Sequence, residues 1–204
     1  MIEMVDTEKD VICELFNIGI GQAARALSEL VDDTIELSVP EIQFITVKEA
    51  VEIIDAKVEG AGCAIKESFS GVILGDMMLV FPEKQSLELV RCIIGEDVEL
   101  ETITEMEQDA LLEVGNIIMT SCLSSLADAF GERVMNEIPT ILKGNGRQLI
   151  SDHQNEISED CLVLFIEVDF IVQNSNIAGY VMVILDMPAV ADLRQLVAAY
   201  LEGI

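Results

Sequence analysis

The chain has 204 residues, 51% of them apolar, with 38 acidic against 11 basic side chains and a formal net charge of −27. That apolar content excludes a disordered chain, and the length allows one large domain or two small ones. The charge, with no Lys/Arg stripe to displace counterions, argues against a phosphate-backbone partner and disfavours an anionic membrane surface, so no nucleic acid and no membrane insertion are expected.

Apolar windows are interrupted every few residues by Asp or Glu, and none is expected to span a bilayer. The start, Met1 to Asp6, lacks the basic segment and apolar run of a signal peptide, which predicts a cytoplasmic protein. Five cysteines without a CxxC pair read as buried thiols. The one histidine, His153, falls in a polar segment, so neither a metal site nor a Ser/His or Cys/His hydrolase is expected.

In chain order, Thr7-Glu8-Lys9-Asp10 has capping-box spacing and predicts a helix start near Thr7, with apolar periodicity to about residue 31. The opposite face reads Asp10, Glu14, Asn17, Gly21, Ala24 and Ser28, polar or small throughout. Gly19 and Gly21 each cost a mid-helix position about 1 kcal/mol, which suggests close packing or docking at the backbone. Asp32-Asp33 breaks the helix, and 34–39, 42–47, 50–57, 61–69 and 71–81 read as strands. Pro82 opens a helix that Gly95 closes, and the acidic run 96–107 reads as a linker.

The programme then restarts. A second helix runs from around Thr104 to Phe130 with Gly131 as its stop, and strand residues precede Pro139. Residues 143–147 read as a loop, 151–160 as a polar surface segment, and 161–172 and 178–185 as strands. Pro188 opens a last helix over 190–201.

The restart is a repeat. Asp10, Glu14 and Asn17, followed by Pro40 after 22 residues, recur as Asp109, Glu113 and Asn116, followed by Pro139 after 22. At helical pitch, positions i, i+4 and i+7 share one face, so each copy lines up Asp, Glu and Asn. Residues 10–42 align with 109–141 without a gap, and Gly71 and Pro82 are matched to Gly179 and Pro188. Apolar type would be kept by packing alone, but packing gives no reason to keep Glu and Asn. Either Glu alone is an ordinary solvated residue, and Asp10 has a structural reading as part of its capping box; the duplication favours a functional face.

Two helix–strands–helix repeats, about 6–97 and 104–204, predict an α+β fold. It is a single pseudo-two-fold domain over 1–204, with a largely antiparallel sheet flanked by long helices. Two separate surface sites are expected, and a monomer, because the pseudo-dimer is already covalent.

The doubled Asp-x-x-x-Glu-x-x-Asn pattern with its proline resembles the CheC family of chemotaxis phosphatases, which includes the CheX proteins and the flagellar-switch phosphatase FliY. The resemblance implies a phosphatase that dephosphorylates the aspartyl phosphate of the response regulator CheY. Glu14 with Asn17 and Glu113 with Asn116 then stand as the active pairs. Asp10 and Asp109 match the leading acidic position, and Pro40 and Pro139 are structural. No cofactor of its own is implied; Mg²⁺ is expected on the partner regulator. The alternative is a catalytically weak adaptor for phosphorylated CheY or for the receptor deamidase CheD, with the last helix as docking element. A flagellar-switch component is a third reading.

Overall fold

Alternation and helical period build a curled antiparallel sheet between helices. A computed structural model describes residues 4–31, 34–39, 42–58, 60–71, 73–94, 105–150, 161–172 and 175–203. The expectations for Asp32-Asp33, Pro40, Gly95, the linker over 96–104, Thr104 and the segment 151–160 with His153 lie outside the described residues.

The first repeat gives helix α1 (Asp6–Val31), strands β1 (Ile35–Ser38) and β2 (Ile42–Thr46), helix α2 (Val47–Val58), strands β3 (Gly62–Gly71) and β4 (Gly75–Pro82), and helix α3 (Glu83–Ile94). The second gives α4 (Glu105–Phe130), β5 (Val134–Asn136), β6 (Thr140–Gly144), α5 (Gly146–Ile150), β7 (Leu162–Val172), β8 (Ser175–Leu185) and α6 (Met187–Glu202).

The sheet runs β1-β7-β8-β4-β3-β5, with β2 also on β7 and β6 also on β3. All its pairings are antiparallel. The repeats therefore exchange strands: β1 and β2 of the first complete β7 of the second, while β5 and β6 complete β3. At the centre Met78 faces Met182 across β4 and β8. Those two methionines face Lys66 on β3 and Phe165 on β7, which stand 99 positions apart, the same offset as the helices.

Ladder register corrects part of the sequence alignment. An offset of 104 between β4 and β8 matches Gly75, not Gly71, to Gly179, and brings Pro82 to Asp186, two residues before Pro188. Both matched glycines lie under bulky side chains. A Cβ at Gly75 would come within 2.7 Å of Phe69, and one at Gly179 within 2.5 Å of Phe81.

The expected strand over 50–57 is helix α2. Thr46 and Glu49 form a capping box, with the Thr46 N–H donating to Glu49 Oε2 at 2.8 Å and the Glu49 N–H to Thr46 Oγ1 at 3.3 Å. Ala50, Ile54 and Val58, buried at intervals of four, seat the helix on the sheet. Likewise the expected loop over 143–147 divides into the end of β6 and the start of α5, with Asn145 and Gln148 capping each other at 3.0 Å. The first helix starts at Asp6, and its box is not the one expected. Glu8 Oε2 accepts from the Val5 N–H at 2.9 Å, and both Glu8 oxygens lie 2.9 Å from Arg194 Nε of α6.

Helices α1 and α4 cover one face of the sheet, where residues such as Cys63, Ile65, Phe69, Val181 and Val183 pack. Helices α2 and α5 cover the other, over Ala64, Met78, Val80 and Met182. Against the expectation, one helix segment among the described residues, Gln108–Phe130, is long and apolar enough to cross a bilayer. It is a core helix here: a Cβ at Gly115 would lie 2.7 Å from Ile65 of the sheet, and Ser125 Oγ donates to Leu15 O of α1 at 2.8 Å.

Candidate active site

Both repeated rows sit on the two longest helices, which cross antiparallel. Gly19 meets Cys122, where a Cβ would approach the Cys122 Cα to 2.6 Å, and Leu15 meets Ser125. The close approach at Gly19 is explained by α4 itself. Gly21 faces open space, with nothing within 4 Å of its would-be Cβ. Because the helices run in opposite directions, the rows extend to opposite sides of the crossing.

On α1, Asp10, Glu14 and Asn17 are all exposed, while Ile12, Leu15 and Phe16 between them are buried. On α4, Asp109 and Glu113 are exposed and Asn116 is half-buried. The carboxamide of Asn116 is engaged. Thr120 Oγ1, one turn on, donates to Asn116 Oδ1 at 3.4 Å, and Asn136 Nδ2 of β5 donates to Thr120 Oγ1 at 3.3 Å. Neither Thr120 nor Asn136 is singled out by the repeat, since the aligned positions are Gly21 and Leu37. The pointer was the spacing: 109, 113, 116 and 120 continue a single helical face.

Pro139 is half-buried where the ladder on β3 is interrupted. β5 pairs with residues 69–71 and β6 with 62–66, and between them the Glu137 N–H donates to Ser68 O at 2.9 Å. A residue without an N–H fits that unpaired step. Beside the α4 row a cleft of about 670 Å³ opens between Thr120, Ser124, Asp128, Arg133 and Asn136.

The cysteines form no disulfide. Cys63 and Cys122 are buried, which pushes their thiols up to about 11 and about 12. Cys13, Cys92 and Cys161 are half-buried, less enclosed than expected. Among the described residues no group of three or more His, Cys, Asp or Glu side chains is placed to hold a metal ion.

Each copy of the motif falls inside a family match. A model of the CheC-like family matches residues 8–43, which hold the α1 row and Pro40, and a model of the chemotaxis phosphatase CheX matches 64–161, which hold the α4 row and Pro139. Both matches are to chemotaxis phosphatase families that the chain resembles, each over one copy of the motif. The CheX match begins at β3 and ends after α5, so it follows the spatial unit made by strand exchange, not a sequence repeat. The chain is 28% identical over 160 residues to the CheY-P phosphatase CheC of Bacillus subtilis, covering 76% of the chain and 75% of that protein. It is 26% identical over 134 residues to the flagellar motor switch phosphatase FliY of the same organism, covering 65% of the chain and 34% of FliY. Its fold matches the crystal structure of Thermotoga maritima FliY with a TM-score of 0.76, at 20% identity, over 98% of this chain and 100% of that one.

Proposed function

We propose that this protein is a hydrolase that accelerates loss of the aspartyl phosphate from a phosphorylated CheY-type receiver domain, using the Glu/Asn pairs of α1 and α4. The observation that carries the reading is the placement of both pairs. Glu14, Asn17 and Glu113 are exposed and Asn116 half-buried on outward helix faces that a folded partner can approach.

The chemistry suits these side chains. An acyl phosphate is intrinsically reactive, and the regulator supplies its own Mg²⁺ and lysine to neutralise developing charge. What remains is to hold a water in line with phosphorus. A carboxamide does this by accepting and donating hydrogen bonds, without the charge that would repel phosphoryl oxygens. Asn17 and Asn116 take that role. Glu14 and Glu113, one turn earlier on each face, pair with the regulator's lysine and set the register of the docked helix. Asp10 and Asp109, a further turn back, extend the acidic edge toward the same partner.

The test is phosphate release from a panel of phosphorylated receiver domains. Asn17→Ala with Asn116→Ala is expected to reduce the rate to that of the receiver alone while circular dichroism shows an intact fold. Full activity in the double variant would overturn the assignment. Phosphorylation-dependent binding without turnover in the unmodified protein would instead identify an adaptor.

A further inference from the structure

Strand β3 carries an acidic side chain into the interior beneath the α4 row. Cys63, Ile65, Glu67 and Phe69 alternate onto the face under α4, and Glu67 is 1% exposed, its carboxyl oxygens without a hydrogen bond of ordinary geometry although the Asn136 amide stands close enough to act on the group. Gly115 rests on Ile65, and Asn136, the ladder partner of Phe69, reaches Thr120. Glu67 lies between those two contacts, under the turn of helix that bears Asn116 and Thr120.

We propose that Glu67 is a positioning residue for the α4 site, holding the Asn116 carboxamide in one orientation through Asn136 and Thr120. This rests on the reading that Asn116 orients water. Donation runs outward, from Asn136 Nδ2 to Thr120 Oγ1 and from Thr120 Oγ1 to Asn116 Oδ1. An inner donor to Asn136 Oδ1 completes such a chain, and aligned hydrogen bonds strengthen one another. A neutral carboxyl group can be that donor, whereas a carboxylate only accepts. In its ionised form Glu67 can only accept, so Asn136 Oδ1 loses its inner donor, the carboxamide turns an N–H toward the carboxylate, and Asn116 is held less firmly.

Proton balance makes the coupling sensitive near neutrality. Burial pushes Glu67 up to about 7, opposed by the Asn136 amide, which favours the charged form. Of the charged groups on the surrounding elements, Lys143 of β6 stands opposite Cys63 on the same sheet face and is exposed, and Asp128 and Glu132, also exposed, line the cleft beside Asn136. Lys66 of β3 and Asp76 of β4 pair with each other at 3.2 Å on the opposite face of the sheet. Asp109 and Glu113 of α4, and Arg133 and Glu137 flanking β5, are exposed. At the α1 site the three members are replaced together, Glu67 by Ile166, Thr120 by Gly21 and Asn136 by Leu37.

The experiment isolates each site by removing the other's asparagine and follows kcat and KM for a phosphorylated receiver from pH 6 to 8.5, after subtracting the receiver's own decay. In Asn17→Ala, kcat is expected to fall about fivefold as pH rises through 7, with KM unchanged. Adding Glu67→Gln, whose amide donates at every pH, is expected to flatten that profile at its low-pH level. Adding Thr120→Ala is expected to flatten it at the lower level. In Asn116→Ala, Glu67→Gln is expected to change nothing. In parallel, the Asn116 side-chain amide resonances should titrate with Glu67 in the full-length protein and stop doing so in Glu67→Gln. An unaltered profile and unaltered resonances in Glu67→Gln would overturn the proposal, even with the double-asparagine variant inactive. Retained activity in that double variant would overturn the functional reading instead, and the resonances would still report whether Glu67 positions Asn116.

Discussion

The α1 and α4 sites begin from the same three residues at the same spacing and end with different surroundings. On α1 the row stands over an apolar interior, with Gly21 leaving the next turn open. On α4 the row continues into Thr120, Asn136 and, beneath them, Glu67. The repeat keeps the groups that the proposed function brings to a partner, while the residues under them differ. Support of that kind decides how tightly a carboxamide is held and leaves its approach to solvent unchanged.

The largest effect is expected where the two sites share a foundation. Gly19→Ala would place a Cβ 2.6 Å from the Cys122 Cα and 3.0 Å from the Ser121 carbonyl, both backbone, so α1 and α4 must part. A cost of about 3 kcal/mol follows, with Tm lowered by about 5–10 °C in thermal melts and both sites weakened together. If one site kept its activity, the sites would be mechanically independent and the comparison would need redrawing.

Next is the buried carboxyl group, which belongs to the α4 site alone. Its folded-state pKa of about 7 lies above the ordinary 4.5, so the folded protein binds this proton more tightly than the unfolded chain does. The associated stability is fully present below pH 4.5, is lost as pH rises from there to about 7, and changes no further above that. Glu67→Gln removes the loss and is expected to raise unfolding stability by about 2 kcal/mol at pH 8, with little gain at pH 4.5, measured by urea titration. Equal gains at both pH values would show that the carboxyl group is not the source. Smaller again, Gly21→Ala is expected to stabilise by about 1 kcal/mol, because it adds helix propensity at an open position.

The architecture was legible because duplication reports itself. The helix α1, its counterpart α4 and the polar row on each are written in spacing that survives without any contact information. What the sequence obscured was decided across strands. Residues 50–57 suit a strand in isolation, and only Thr46 and Glu49 as a box, with Ala50, Ile54 and Val58 at intervals of four, mark α2 as a helix. Matching Gly71 to Gly179 was natural on the chain, but ladder register selects Gly75. Glu67 could have been noticed by parity, since it shares a face with Cys63, Ile65 and Phe69. Its connection to Asn116 could not, because Asn136 arrives from a strand of the other repeat.

That divergence can be tested by partial transplantation. Gly21 holds the place of Thr120, nothing lies within 4 Å of its would-be Cβ, and Gly21→Thr is therefore accommodated. The new hydroxyl stands four residues after Asn17, the spacing at which Thr120 donates to Asn116, so it can offer the same bond to the α1 carboxamide. It lacks the second partner, because Leu37 stands where Asn136 would be, and a hydroxyl on one side only can equally turn back to a helix carbonyl. In an Asn116→Ala background, Gly21→Thr should raise kcat by about twofold at most, without the pH dependence expected of the α4 site. A gain that brings kcat to that of the α4 site, measured in Asn17→Ala, would show that the hydroxyl suffices and that Asn136 and Glu67 add nothing. No gain at all, with the helix intact, would place the difference in the deeper members of the chain.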